Sequence, residues 1–396
     1  VHNQVQSIKS FFFQNIFVII MTVSGLISIA LFMNKAQARF AEYALEAGFL
    51  SYTSLALWWA KRNDFVLSIA FIRWGCLIYL GLSYIYAVDY RGANLQDFLL
   101  IYKSFVYLFF LSLLAGKKLM TFENTNRLLF ILLGLFFIKY VAMIVVKGED
   151  RPILYMENNF ELMLIYALYL IRYTVTKEKA LMVLGFVGLI TILSLSRSSL
   201  LMYCVLVLFV FYNSYERMRV FIIPGAILLL GGVIVFIFSQ RDSSIEDIDR
   251  FKFMMVWWTQ VKDWNLFQWL FGAPRITNLS APACRFFYHW YDTLFSRSGN
   301  GTCYSVVFHS FLLRAIFDHG ILGLVFIIFA AYKLLVVSGV RKGAAVVFVT
   351  IVIINGLSVS SFNNLFYAVS TVFLMATNTE FPEEETEDEL IEEEIL

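Results

Sequence analysis

From Phe11 to Met33 the chain runs 23 residues without a charged side chain, and comparable apolar runs recur along most of its length. At 1.5 Å of helical rise per residue, about 20 residues cross a bilayer. Further runs lie near 42–60, 65–88, 98–115, 128–146, 157–172, 180–196, 198–213, 220–239, 308–336, 344–360 and 362–378. A stretch such as 180–213 is too long for one crossing, so we divide it at Ser194-Leu195-Ser196-Arg197-Ser198-Ser199. The chain is 60% hydrophobic and only 15% charged, against about 45–50% and roughly 25% in soluble domains. No soluble fold of this length hides that much apolar surface. The expected fold is all-α: a polytopic integral membrane protein of about twelve transmembrane helices. Its domain spans residues 1–378, and 379–396 form a tail. Ten carboxylates in 380–396 repel one another, so the tail is expected to be a disordered cytoplasmic segment.

The first run exceeds the roughly 7–15 apolar residues of a signal-peptide core and reads as a retained span. Placing the N-terminus in the cytoplasm and alternating puts Lys9, Lys61-Arg62, Lys117-Lys118, Arg127, Arg172 to Lys179, Arg217, Arg219 and Arg341-Lys342 inside. The short outer loops then hold only Lys35, Arg39, Arg91, Lys147 and Arg151. This asymmetry obeys the positive-inside rule. Net charge is only +2, so nothing in the bulk field points to nucleic acid.

One outer loop is long. Residues 240–305 carry Trp257, Trp258, Trp264, Trp269 and Trp290, so the loop is expected to be ordered against the membrane interface. Cys284 and Cys303 share it, 19 positions apart. Two thiols in one exposed loop suggest a disulfide and an oxidising compartment; metal binding is the alternative. Cys76 and Cys204 lie in predicted spans as small packed hydrophobes.

Three segments could carry chemistry. Arg197 interrupts an apolar region, where an arginine costs about 2.5–3.5 kcal/mol at a span centre. It is either a snorkelling interfacial residue or a fixed cation facing an anionic head group. Arg250 opens an amphipathic stretch through Trp257 and Trp264 to Phe271-Gly272; it either pairs with Glu246 or Asp247 or serves the same anion. His309 has helical spacing with Leu312, Leu313 and Ile316 and is expected on an inward helix stripe at the outer edge. His319 and His289 read as structural, as does Arg314 paired with Asp318. Arg73, Lys103 and Lys139 are intramembrane cations that each need a partner or a polar cavity. Asn158, Asn159 and Glu161 open the sixth span and could cap that helix or contact a glycan. The pair Asp247-Ile248-Asp249 has the letters of a metal-binding DxD. Nucleotide sugars, however, are cytoplasmic and this loop is outside, so no metal is expected.

These three segments resemble the O-antigen ligase and polymerase superfamily of bacterial envelope enzymes, over residues 180–330. Leu195-Ser196-Arg197-Ser198 is similar to the family's arginine at a span end. Arg250 with Trp257 and Gly272 is similar to its loop arginine segment. His309-Ser310, nine residues, then Gly320-Ile321-Leu322-Gly323 is similar to the ligase pattern His-[Asn/Ser]-x9-Gly-x-x-Gly. The resemblance implies metal-independent, inverting glycosyl transfer at the periplasmic face of the bacterial inner membrane, without a cofactor. The implied donor is a glycan on undecaprenyl pyrophosphate. The implied acceptor is lipid A–core for a ligase or a second lipid-linked repeat unit for a polymerase. The histidine segment leans toward ligase. The arginine-x10-glycine spacing of some polymerases is not found after Arg151, Arg241 or Arg250. Arg197 and Arg250 are the candidate pyrophosphate-binding residues, His309 the catalytic candidate, and Asn159 and Glu161 the possible acceptor or glycan contacts. A flippase for lipid-linked sugar is the competing reading. It would favour matching halves and midplane polar residues, whereas the polar residues here gather at one face.

Overall fold

A computed structural model describes residues 2–33, 37, 39–59, 66–149, 151–176, 181–214, 225, 249–291 and 294–379. Among these the chain is helical, with one isolated backbone bridge between Met120 and Thr377. The helices are α1 (His2–Ala30), α2 (Arg39–Trp59), α3 (Leu67–Tyr84, continued by a π turn at Ile85–Tyr90), α4 (Leu95–Leu114), α5 (Phe122–Lys147), α6 (Asn158–Thr176), α7 (Leu181–Leu193) and α8 (Arg197–Ser214). They continue as α9 (Asp249–Val261), α10 (Leu266–Phe271), α11 (Ala281–Tyr291), α12 (Phe311–Val337), α13 (Lys342–Gly356) and α14 (Leu365–Ala376). Five segments among the described residues are long and apolar enough to cross a membrane: Ser10–Ala30, Leu67–Tyr90, Leu95–Leu114, Phe122–Lys147 and Phe311–Val337. Several apolar helices of this kind make it a membrane protein. The expected span 220–239, apart from Gly225, and the acidic segment 380–396 lie outside the described residues.

Local chemistry sets the helix ends. Asn94, Thr121 and Asn364 accept backbone N–H bonds at the starts of α4, α5 and α14, and Gly148 closes α5 in a left-handed conformation at φ 63°. The run 180–213 is divided where its serines lie. Ser194 Oγ donates to Thr191 O and accepts from Ser196 N, and Leu195 turns to φ 49°. Ser196 Oγ then accepts from Ser199 N as the N-cap of α8.

The core is built around α6 and α14. Leu162 to Leu170 of α6 and every residue of α14 are buried, as expected for a helix apolar all round and enclosed by others. Asn364, before α14, donates through Nδ2 to Met156 Sδ, before α6 (3.7 Å). The two central helices therefore start at the same end. At the other end Lys118 Nζ reaches Met375 O and Thr377 O, and Lys117 Nζ reaches Ala56 O. α8 runs parallel to α6, with Tyr166 donating to Ser199 O and Tyr173 to Val210 O. α13 packs on α8 in the opposite sense, Gly343 facing Phe209 near the C-terminal end of α8.

Residues 249–308 form a smaller unit whose core of Phe253, Trp257, Val261, Phe287 and Phe308 is completed by Phe317 of α12. A disulfide joins Cys284 to the fully buried Cys303. Trp257 donates its indole N–H to Leu313 O, and Trp264 packs edge-on against Trp269 and tilted against Phe317. The side chain of Trp290 lies outside the described residues.

Two expectations for α12 are corrected. The run 308–336 is not one regular helix: Gly320 breaks it at φ 70°, ψ 179°. Arg314 and Asp318 also take separate partners. Arg314 donates to Ser360 Oγ and Leu100 O, and Asp318 accepts from Ser305 Oγ. Burial explains the separation, because each buried charge needs hydrogen bonds that a single i, i+4 partner does not supply.

Candidate functional site

The end of the bundle where α6 and α14 begin gathers the candidate residues. The first turn of α6 is stitched to the α7–α8 break: Asn158 Nδ2 donates to Ser194 O (2.7 Å), and Ser196 Oγ donates to Asn159 Oδ1. Arg197 follows Ser196 directly as the first residue of α8, half-buried. Because α13 runs antiparallel to α8, its last residue, Gly356, comes level with Arg197. Ser310 Oγ donates to Gly356 O (3.0 Å), which brings the His309 segment to that end as well.

His309 is not on a helix stripe, contrary to the spacing argument. It sits at φ 59° between a 3-10 turn, Ser305–Phe308, and the start of α12 at Phe311. At the start of the helix Phe311 N bonds Val359 O (3.1 Å). The left-handed turn is held from beneath: Ser360 Oγ donates to His309 O (3.1 Å), and Arg314 Nη1 donates to Ser360 Oγ (2.6 Å). The imidazole lies against Phe253, ring centroids 6.3 Å apart and 23° from parallel. Phe253 is one helical turn beyond Arg250, the second residue of α9. The backbone thus brings the Arg250 turn to the His309 turn, while the side chain of Arg250 lies outside the described residues. So do Asp247 and Ile248.

Glu161 is placed differently from Asn159. It is fully enclosed, and its oxygens accept from Leu154 N, Tyr155 N, Met156 N and Tyr140 Oη. Its carboxylate holds the 154–156 loop and is not presented at an open surface.

The remaining polar residues are structural in geometry. Arg73 donates to Ser112 O and Oγ, and Lys139 to Ser28 O and Met33 O. Lys103 pairs with Glu46 (3.0 Å), which also accepts from Tyr107. His319 Nδ1 meets Tyr79 Oη (2.9 Å) within a ring of Tyr102 and Phe105. His289 lies with its side chain outside the described residues. Sequence reasoning passed over Asp97. This buried carboxylate opens α4 and accepts from Ser296 Oγ (2.7 Å) and Arg297 N, tying the outer unit to the bundle. An acid in a first helical turn is common enough that its position carried no signal.

No protein-family model matches the chain, and no curated protein matches it in sequence. The likeness to the O-antigen ligase and polymerase superfamily rests on the three segments quoted above.

Proposed function

We propose that this chain is a membrane glycosyltransferase that moves a glycan from undecaprenyl pyrophosphate onto an acceptor sugar hydroxyl. In this reading about twelve helices cross the bacterial inner membrane, and the site faces the periplasm. The observation that carries it is the shared end of α6, α8, α12, α13 and α14, where the turns bearing Arg197 and His309 both lie and Phe253 links α9 to His309.

The chemistry follows from that gathering. The acceptor oxygen attacks the anomeric carbon from the face opposite the leaving group, forming one C–O bond. The bond to the pyrophosphate oxygen breaks, and its electron pair leaves with the phosphate. Negative charge grows on that oxygen, and fixed guanidiniums at Arg197 and Arg250 stabilise it. His309, as a neutral imidazole, takes the acceptor's proton. Asn159, bonded to Ser196 beside Arg197, is the nearest candidate for a glycan hydroxyl. Apolar helix faces hold the polyprenyl tail.

The test uses purified protein in nanodiscs with an undecaprenyl-pyrophosphoryl glycan. One tube also receives lipid A–core; the other holds donor only. Glycan on lipid A–core identifies a ligase, and a lengthened donor identifies a polymerase. Lipid translocation without either product overturns the enzyme reading in favour of a flippase.

A further inference from the structure

Helix α10 of the outer unit packs on α12. Gly272, just after it, lies against the break in α12: a Cβ on Gly272 would stand 2.7 Å from Gly320 N and 2.8 Å from His319 N. Two helices gauge how deep that contact is. From Gly320 to Val337 the lower part of α12 rises about 26 Å. From Leu67 to Tyr79, which bonds His319, α3 rises about 18 Å. A hydrocarbon core is about 30 Å thick. With the inner ends of these helices set at the inner edge of the hydrocarbon, the Gly272–Gly320 contact falls about 4 to 12 Å inside the outer edge.

The side chains and the backbone agree with that depth. Leu266, Phe267 and Phe271 turn outward, 75%, 67% and 44% exposed. Exposed apolar residues also line α12 (Ile321, Leu322, Val325) and α3 with its π turn (Leu82, Ile85). Backbone at membrane depth must satisfy its polar groups within the protein. Asn265 and Gln268 form a reciprocal capping box at the start of α10, and Gly272 N bonds Gln268 O (2.7 Å) at its end. The returning segment uses the carbonyl that the Gly320 break releases, with Ala273 N bonding Phe317 O (2.8 Å). Arg275 then climbs with its guanidinium 4.7 Å above the Tyr79 ring.

We infer that α10 is a re-entrant element whose outward face is solvated by the acyl chains of the outer leaflet, so that the outer unit is anchored in lipid beside α3 and α12. This rests on the membrane-spanning reading of those two helices, and the test separates the two.

Nitroxides are placed by Leu266→Cys and Phe267→Cys in the full chain, with the free Cys76 and Cys204 replaced by alanine, in phospholipid nanodiscs. Val325→Cys marks lipid and Asn300→Cys, on an exposed turn, marks water. The expected result is collision with oxygen several-fold above collision with a nickel chelate at 266 and 267, matching Val325. Nickel access at 266 and 267 equal to that at Asn300, with Val325 still oxygen-dominated, overturns the inference and leaves the spanning helices intact. Nickel access at Val325 overturns the spanning reading itself. The unaltered chain gives a second measurement: a lipid-dissolved carbene reagent should mark 265–271 as well as 321–329, and marking of 321–329 alone also overturns the inference.

Discussion

Arg197 and Arg250 each occupy the first turn of a helix, where a cation opposes the macrodipole and costs roughly 0.3–1 kcal/mol. Neither is there to stabilise its own helix. A guanidinium at the positive end of a helix is suited to an anion, which the proposed pyrophosphate supplies. Arg197→Ala and Arg250→Ala should each lower transfer about 100- to 1,000-fold, the loss typical of one fixed donor to a developing oxyanion. His309→Ala should lower it by about 100- to 10,000-fold. All three should still insert, as size-exclusion profiles in detergent would show; wild-type turnover in the three variants rules out this site. Arg197→Lys should recover only part of the rate, because a point charge does not reproduce a two-pronged contact with phosphate. Phe253→Ala separates positioning from chemistry. It leaves the imidazole in place but unsupported, so turnover should fall while donor KM stays near wild type.

At the scale of elements, the long apolar runs made α1, α3, α4, α5 and α12 legible, since an uncharged run of that length has one common use. The break between α7 and α8 was legible too, because serines beside an arginine offer both a turn and a cap. What the runs concealed is which helix lies inside. α6 and α14 are apolar all round, yet the same composition would suit a lipid-facing helix. The left-handed turn at His309 was also hidden. Its spacing with Leu312 and Ile316 fits a helix, whereas its positive φ is held by a residue distant in sequence, through Ser360 Oγ donating to His309 O. Gly320 was quoted only as part of a pattern; its meaning is a helix break that admits Leu270 and Gly272. Gly320→Ala therefore meets both a left-handed φ of 70° and the carbonyl of Leu270. It should destabilise the fold by about 2 kcal/mol or more, read as a lowered melting temperature. Gly134→Ala, which meets no neighbouring atom, serves as the control. The Cys284–Cys303 bond closes a loop of 19 positions, so its reduction should remove about 3 kcal/mol from the outer unit. Fluorescence of Trp257, Trp264 and Trp269 reports that loss directly, because all three lie in or against that unit's core.

For the whole molecule the question is orientation, since the proposed chemistry needs a donor displayed outside the cytoplasm. Two arguments of different origin bear on it. Basic residues concentrate in the loops assigned to one side, including Lys117 and Lys118, which the structure puts at the end where α14 finishes. The disulfide belongs to the unit at the opposite end, where an oxidising compartment is needed. Intact spheroplasts treated with a mild reductant and a membrane-impermeant maleimide should therefore be labelled without permeabilisation. Cys284 is half-buried and Cys303 fully enclosed, so Cys284 should react first. Cys76 and Cys204, buried in helices, should stay unlabelled and fix the background. Labelling that requires permeabilisation would put Cys284 in the cytoplasm. The turns of Arg197 and His309 share its end of the bundle, so they would then face a compartment where nucleotide sugars, not exported lipid-linked glycans, are the available donors.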